Sequence, residues 1–204
     1  MKLLPIASSL LLATAAALAF GQFNPTQATS TEPTSAARTL TVDGGHSSIL
    51  FRIQHMEASY FYGRFNEVEG EIVFDEEDPA KSSVALTIMA DSVDSNSGKR
   101  DEHIKSPDFL DAKQFAAIEF ISTKVEQKGD TWKVTGNLEF HGTQNEITVD
   151  FEKTGEGKGR GGEAVLGFLS TFTIDRTDYG MDYMIGPLGK ELQLTVSLEA
   201  KGSK

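Results

Sequence analysis

Three segments of this chain alternate apolar and polar residues with a strict period of two. Trp132, Val134, Leu138 and Phe140 interleave with Thr131, Lys133, Thr135, Asn137 and Glu139. Ile147, Val149 and Phe151 interleave with Glu146, Thr148, Asp150 and Glu152. Leu192, Leu194, Val196 and Leu198 interleave with Glu191, Gln193, Thr195, Ser197 and Glu199. Successive side chains of a strand point to opposite faces, so each segment predicts a strand with one dry and one wet face. Weaker alternation marks 40–42, 48–54, 71–75, 83–90, 118–123 and 165–174. Turn chemistry separates them at Asp43-Gly44-Gly45, Asp78-Pro79, Lys128-Gly129-Asp130 and the glycine-rich stretch 155–162. Parallel strands need helical crossovers, and only two short helices are predicted, at Met56–Tyr62 and about Lys99–Asp111. The fold class is therefore all-β and antiparallel. Eight up-and-down strands with one apolar face close most economically into a barrel, which removes exposed edges. A sandwich fits the alternation equally well.

The repeat of alternating strands begins near Thr39, and what precedes it reads differently. Residues 1–19 form a weakly basic start, a nearly uncharged apolar run and small residues at Ala17 and Ala19, the pattern of a secretory signal. The run is shorter than the roughly 20 apolar residues of a spanning helix and contains Pro5, Ser8, Ser9 and Thr14. Residues 20–38 are rich in Thr, Ser, Ala and Pro, the composition of a linker. Residues 39–204 make one domain by size. The predicted location is the periplasm or the extracellular space. There is no cysteine, so disulfides, thiolate metal sites and a cysteine nucleophile are excluded. The formal charge of −11 repels phosphate backbones and argues against nucleic acid as a partner.

Four histidines are the natural candidates for chemistry. His46 and His55 have opposite parity, and nine steps along a strand separate them by about 30 Å. They mark two ends of one strand. His55 ends the apolar row Ile49, Phe51, Ile53, while Ser48, Leu50, Arg52 and Gln54 share the opposite face. His103 lies beside Asp101 and Glu102, and His141 ends a strand. No pair has the close spacing of metal ligands, so no metal site is predicted and each histidine is read as a hydrogen-bonded structural residue. No nucleophile-elbow, zinc-helix or phosphate-loop motif occurs. An enzyme is not predicted. A metal-dependent hydrolase using His46, His103 or His141 is the least favoured alternative.

The segments "VDGGHSSILFRIQHM", "YGRFNEVEGEIVFD", "RDEHIKSPDFLDAKQFAAIEF", "GNLEFHGTQNEITVDF" and "IDRTDYGM" resemble, in order and spacing, the YceI-like family of secreted bacterial polyisoprenoid-binding proteins. The resemblance spans about residues 39 to 201. It implies an extended, eight-stranded, lipocalin-like barrel without catalysis, whose lumen holds an isoprenoid lipid such as a prenyl diphosphate or a quinone tail. No other cofactor is implied. The motif positions are His46, Ser47, Phe51, His55, Gly63, Phe65, Arg100, Asp101, Phe109, His141, Gly142, Arg176, Asp178 and Gly180. The glycines and Asp101 are read as turn-fixing. The chain departs from the family pattern at Ala116-Ala117 and at Gly142-Thr143-Gln144-Asn145, both in turns.

The inward rows of such a barrel carry Phe51, Ile53, Phe74, Leu86, Phe120 and Trp132, then Phe140, Phe151, Phe168, Phe172 and Leu194. These are the candidate lumen contacts. Arg52, Arg100 and Arg176 are the candidates for a headgroup at the mouth, although salt bridges to the many carboxylates are an equal use for Arg52 and Arg176. Met181, Tyr183, Met184 and Ile185 suit either a pliable lid or a small satellite core. Periodicity leaves a filled interior open as well, in which case the chain is a non-binding stress-response module. Transient contact with a membrane or membrane protein follows only from the lipid-carrying alternative.

Overall fold

The computed structural model describes residues 37–203. The expected signal, 1–19, and nearly all of the expected linker lie outside the described residues. The strands are β1 (Arg38–Val42), β2 (Ser48–His55), β3 (Ser59–Phe65), β4 (Val68–Phe74), β5 (Ser83–Met89) and β6 (Val93–Asp94). After one helix, α1 (Gly98–Ile104), come β7 (Ala117–Lys128), β8 (Thr131–Phe140), β9 (Thr143–Lys158), β10 (Ala164–Asp175) and β11 (Leu188–Gly202). Every pairing between them is antiparallel.

Eleven segments make an eight-stranded barrel because three pairs act as single bent strands. β11 pairs with β2 along 188–197 and with β1 along 200–202, so β1 and β2 lie end to end beside it. In the same way β3 pairs with β2 while β4 pairs with β1, and β6 pairs with β3 while β5 pairs with β4. The β1–β11 ladder closes the ring. Closure satisfies the backbone groups that an open edge would leave to water.

Three expectations need correction. Met56–Tyr62 is not a helix. Met56 and Glu57 adopt positive φ in a turn, and β3 begins at Ser59. Its tyrosines, Tyr60 and Tyr62, face solvent while Phe65 faces the core. The second helix ends at Ile104, before Pro107, and residues 105–116 continue as turns. Further, β9 extends to Lys158, so only the tip of the glycine-rich stretch turns.

The core is the barrel interior, with Leu40, Ile49, Leu166 and Val134 almost completely enclosed. Glycines make room for aromatic rings. A Cβ on Gly63 would stand 2.3 Å from the Phe51 ring, and one on Gly136 would stand 2.7 Å from the Phe120 ring. The wall is paired unevenly. β9 and β10 share a ladder only from Ala164↔Lys158 to Leu169↔Glu152, with a bulge beside Gly167. Beyond it they part, and the Ser170 hydroxyl donates to the Asp150 carbonyl (2.8 Å) across the gap.

Ion pairs fasten both ends of the described segment to the ring. The Lys201 ammonium binds the Asp43 carboxylate, joining β11 to the turn after β1. Arg38 meets Glu156 at 2.5 Å and Lys153 meets it at 3.0 Å. Lys201, with His46 second, lowers the Asp43 carboxyl to about 2, and Arg38, with Lys153 second, does the same for Glu156. A carboxyl depressed in the folded state stabilises it above the ordinary carboxylate range and loses that contribution as pH falls through the folded value. Thermal stability should thus decline between about pH 4.5 and pH 2. The double variant Asp43→Asn, Glu156→Gln should start less stable at pH 7 and show a shallower decline. Unfolding temperatures across that range check it, and an unchanged slope would refute the assignment.

Candidate functional site

One end of the barrel is sealed and the other is hollow. At the sealed end Phe74 stands edge-on to Trp132 (5.2 Å between centroids) and to Phe168 (5.3 Å). Only about 20 Å³ of void remains there. Such offset and edge-to-face pairs let rings fill space at native density.

At the other end a cavity of about 460 Å³ opens under α1 and the segment between the end of β10 and β11. Its apolar wall includes Phe51, Ile53, Phe61 and Phe65 from β2 and β3, with Phe140 from β8 and Leu192 from β11. α1 contributes Arg100, His103 and Ile104, and the turns after it contribute Phe109 and Leu110. Met181, Met184 and Leu188 close the far side. A triangle of rings ties helix to loop: His103 to Phe109 at 5.1 Å, Phe109 to Tyr183 at 5.3 Å and His103 to Tyr183 at 5.7 Å. Between the two ends lies a smaller void of about 50 Å³, walled by Leu86, Phe120, Phe151, Phe172 and Leu194 among others.

Of the eleven expected lumen residues, therefore, Phe51, Ile53 and Phe140 reach the large cavity. Phe74, Trp132 and Phe168 belong to the sealed end. The rest surround the middle void, which Phe140 also touches and whose Phe151 reaches the sealed end as well.

The three arginines separate. Arg52 lies outside the cavity, in a shallow polar groove with Gln54, Lys190 and Gln193, its guanidinium 4.0 Å from the centre of the Tyr60 ring. Strand parity puts it there, because its neighbours Phe51 and Ile53 point inward. Arg100 lines the cavity, stacked on Phe61 at 4.4 Å, with Nε donating to the Ser95 hydroxyl (2.8 Å). Arg176 is only 3% exposed. Its Nε donates to the Gly189 carbonyl (2.9 Å) and one terminal nitrogen donates to the Met181 carbonyl (2.5 Å). The other terminal nitrogen, Nη2, is buried without a protein partner. Burial pulls the guanidinium pKa down, and the charges of Asp175 and Asp182 pull it back up. The group remains a cation in any accessible pH range.

Most motif residues hold turns. Ser47 donates to the Asp43 carbonyl (2.8 Å) and accepts from the Glu199 amide (3.1 Å). Asp101 accepts from the amide and the hydroxyl of buried Ser95. His141 adopts positive φ and pairs with the Tyr179 carbonyl (3.0 Å), while Gly142 carries the Phe115 ring. The Asp178 carbonyl accepts from Asn145, and Gly180, at φ 76°, ends the 3-10 turn Arg176–Tyr179. The histidines do not converge. His46 pairs with Asp43 (2.7 Å), His103 with Asp108 (2.9 Å), and His55 stands in the cavity wall. Among the described residues, the one cluster with metal-like spacing is Asp43, His46 and Glu199. The Lys201 ammonium already binds Asp43 and lies 3.6 Å from Glu199, so the site's negative charge is met from within.

The sequence reading missed Phe61, Ile104, Leu110 and Leu188 as parts of the cavity wall. For Phe61 the alternation Phe61, Gly63, Phe65 was available, hidden within three consecutive aromatics. For the others no periodic signal exists, because they stand on a short helix, in turns and at a strand end.

The YceI-like domain model matches residues 40–200. The chain belongs to the YceI-like family. A relative in Pseudomonas aeruginosa, a UPF0312 protein, is 37% identical over 157 residues, which is 77% of this chain and 82% of that one. Among solved structures, BcnA of Burkholderia cenocepacia superposes with a TM-score of 0.71 at 21% identity, covering 78% of this chain and 98% of that one. A domain from Saccharophagus degradans, described as polyisoprenoid-binding, superposes with a TM-score of 0.63 at 12% identity, covering 82% and 100%. At those identities the likeness is one of fold. The YceI-like barrel here thus has relatives that share its architecture at widely different sequence distances.

Proposed function

We propose that this YceI-like protein is a non-catalytic carrier or store for an isoprenoid lipid, working outside the cytoplasm. The observation that carries the reading is a largely apolar cavity of about 460 Å³ whose wall holds a buried guanidinium with one nitrogen unpartnered. A filled core would leave no such space, and a buried donor without an acceptor is costly unless a ligand supplies one. The hydrocarbon tail occupies the apolar part and gains about 25 cal/mol for each Å² of apolar surface removed from water, less the entropy of threading. The polar head, a phosphate or a quinone carbonyl, accepts from Arg176 Nη2 once the side chains that enclose that nitrogen move aside, with exposed Arg100 also lining the cavity. Family membership and the polyisoprenoid-binding description of the Saccharophagus degradans neighbour support the ligand class. The signal pattern of residues 1–19 supports export. Tyr60 and Met184, which line the cavity yet are themselves exposed, suit a brief contact with a membrane from which lipid is taken.

The test is gentle purification of the exported protein, solvent extraction and mass spectrometry. A prenyl compound should be recovered in amounts approaching one per chain. Delipidated protein that binds neither prenyl phosphates nor quinones at micromolar concentration would overturn the reading.

A further inference from the structure

Two phenylalanines belong to both of the larger interior spaces. Phe65, from β3, and Phe140, at the end of β8, line the 460 Å³ cavity and also the 50 Å³ void behind it. Both are nearly enclosed. Their rings are braced by neighbouring rings, Phe65 by Phe51 of the cavity wall at 5.7 Å and Phe140 by buried Tyr179 at 5.7 Å. Phe51 can lie where it does because its partner across the ladder is Gly63.

We infer that Phe65 and Phe140 are a septum that sets how long an isoprenoid tail this barrel takes. The inference rests on the lipid-binding reading and gives it a length. An apolar cavity of about 150 Å³ holds one benzene, six carbons. The large cavity, at about 460 Å³, therefore takes roughly three such bodies, or about eighteen carbons. That is a tail of three to four isoprene units. The void behind the septum is smaller than the space one benzene needs, so a tail gains nothing further until the two rings are displaced. Displacement means leaving staggered rotamers and braced ring contacts in a close-packed interior. A longer tail instead has to turn its excess back toward the mouth, where it stays in water and adds no binding.

Affinity for prenyl phosphates should thus rise steeply with length, about tenfold or more per isoprene unit, then level off near four units. The experiment uses delipidated full chain and calorimetric titration with prenyl monophosphates from two to eight units. Phe140→Leu and Phe65→Leu each open the septum with an apolar residue that keeps the barrel folded, and thermal unfolding of each checks this. The wild type should level off near four units, and either variant should continue to gain, at least tenfold, at six. A wild-type affinity that climbs through eight units, or a plateau that neither folded variant moves, would overturn the septum. Absence of binding at every length would overturn the lipid-binding reading itself.

Discussion

Replacing Phe74 by alanine should cost about 3–5 kcal/mol of stability and leave lipid binding unchanged. Phe74 is buried in the sealed end, edge-on to both Trp132 and Phe168. The cations of Arg38 and Lys153 lie 5.8 and 5.5 Å from its ring centre, within the range of cation–π attraction. Alanine removes the ring and its two aromatic partners' edges at once. The neighbours stand on four different strands fixed by their ladders, so collapse into the hole is limited and the cavity cost is large. For a domain of this size each kcal/mol moves the unfolding temperature by about 2–4 °C, so a fall on the order of 10 °C is expected. The large cavity is walled by other residues at the opposite end. Its affinity for a prenyl phosphate, measured below the new unfolding temperature, should match the wild type within twofold. A folded variant that had lost its lipid would show that the two ends of the barrel are not independent.

That division into a sealed and a hollow end is where the sequence stops being legible. Strict alternation located β8, β9 and β11, because a strand that is wet on one side has no other way to bury half of its residues. It failed at β3, where Tyr60-Phe61-Tyr62 places large aromatics on both faces. The tyrosines stay in solvent through their hydroxyls, and hydrophobic pattern alone does not register that. Parity by itself puts Arg52 on the outer face, between inward Phe51 and Ile53, so a headgroup role for it conflicts with the alternation of its own strand. Arg176 follows the last residue of β10, and no period governs where it points. Only the turn it opens, with its carbonyl partners at Met181 and Gly189, swings it into the cavity. The count of strands was legible only in part. Bent strands such as β1 and β2 read as separate segments, and their merging depends on β11 running past both. Filling was not legible at all. Phe74 and Phe140 are the same residue on similar inward rows, yet one meets two rings and the other borders a cavity. Glycine positions, turn lengths and the placement of α1 decide that difference, and none of them is periodic.

Arg176→Met should lower stability modestly and abolish discrimination between charged and neutral heads. Methionine fills similar volume but cannot donate to the carbonyls of Gly189 and Met181, which tie the start of β11 and the loop before it to the 3-10 turn. Each lost charge-assisted hydrogen bond costs about 1.5–3 kcal/mol. Removing a buried charge returns part of its desolvation cost, so the net loss should be about 1–3 kcal/mol, a fall of roughly 5 °C. The binding effect is larger in kind. On the proposed reading the unpartnered Nη2 is the donor for an acidic head, one that a neutral prenyl alcohol uses less well. The ratio of the two affinities should drop at least tenfold in Arg176→Met, with the alcohol itself little changed because its tail contacts survive. Arg176→Lys separates the two roles. It keeps the charge, and with it much of the preference for a phosphate, but one ammonium on a flexible stem does not hold two carbonyls and a ligand together. The lysine variant should therefore lose stability like methionine while retaining selectivity. If Arg176→Met binds the phosphate and the alcohol in the wild-type ratio, the guanidinium serves the loop alone and the head of the lipid lies elsewhere.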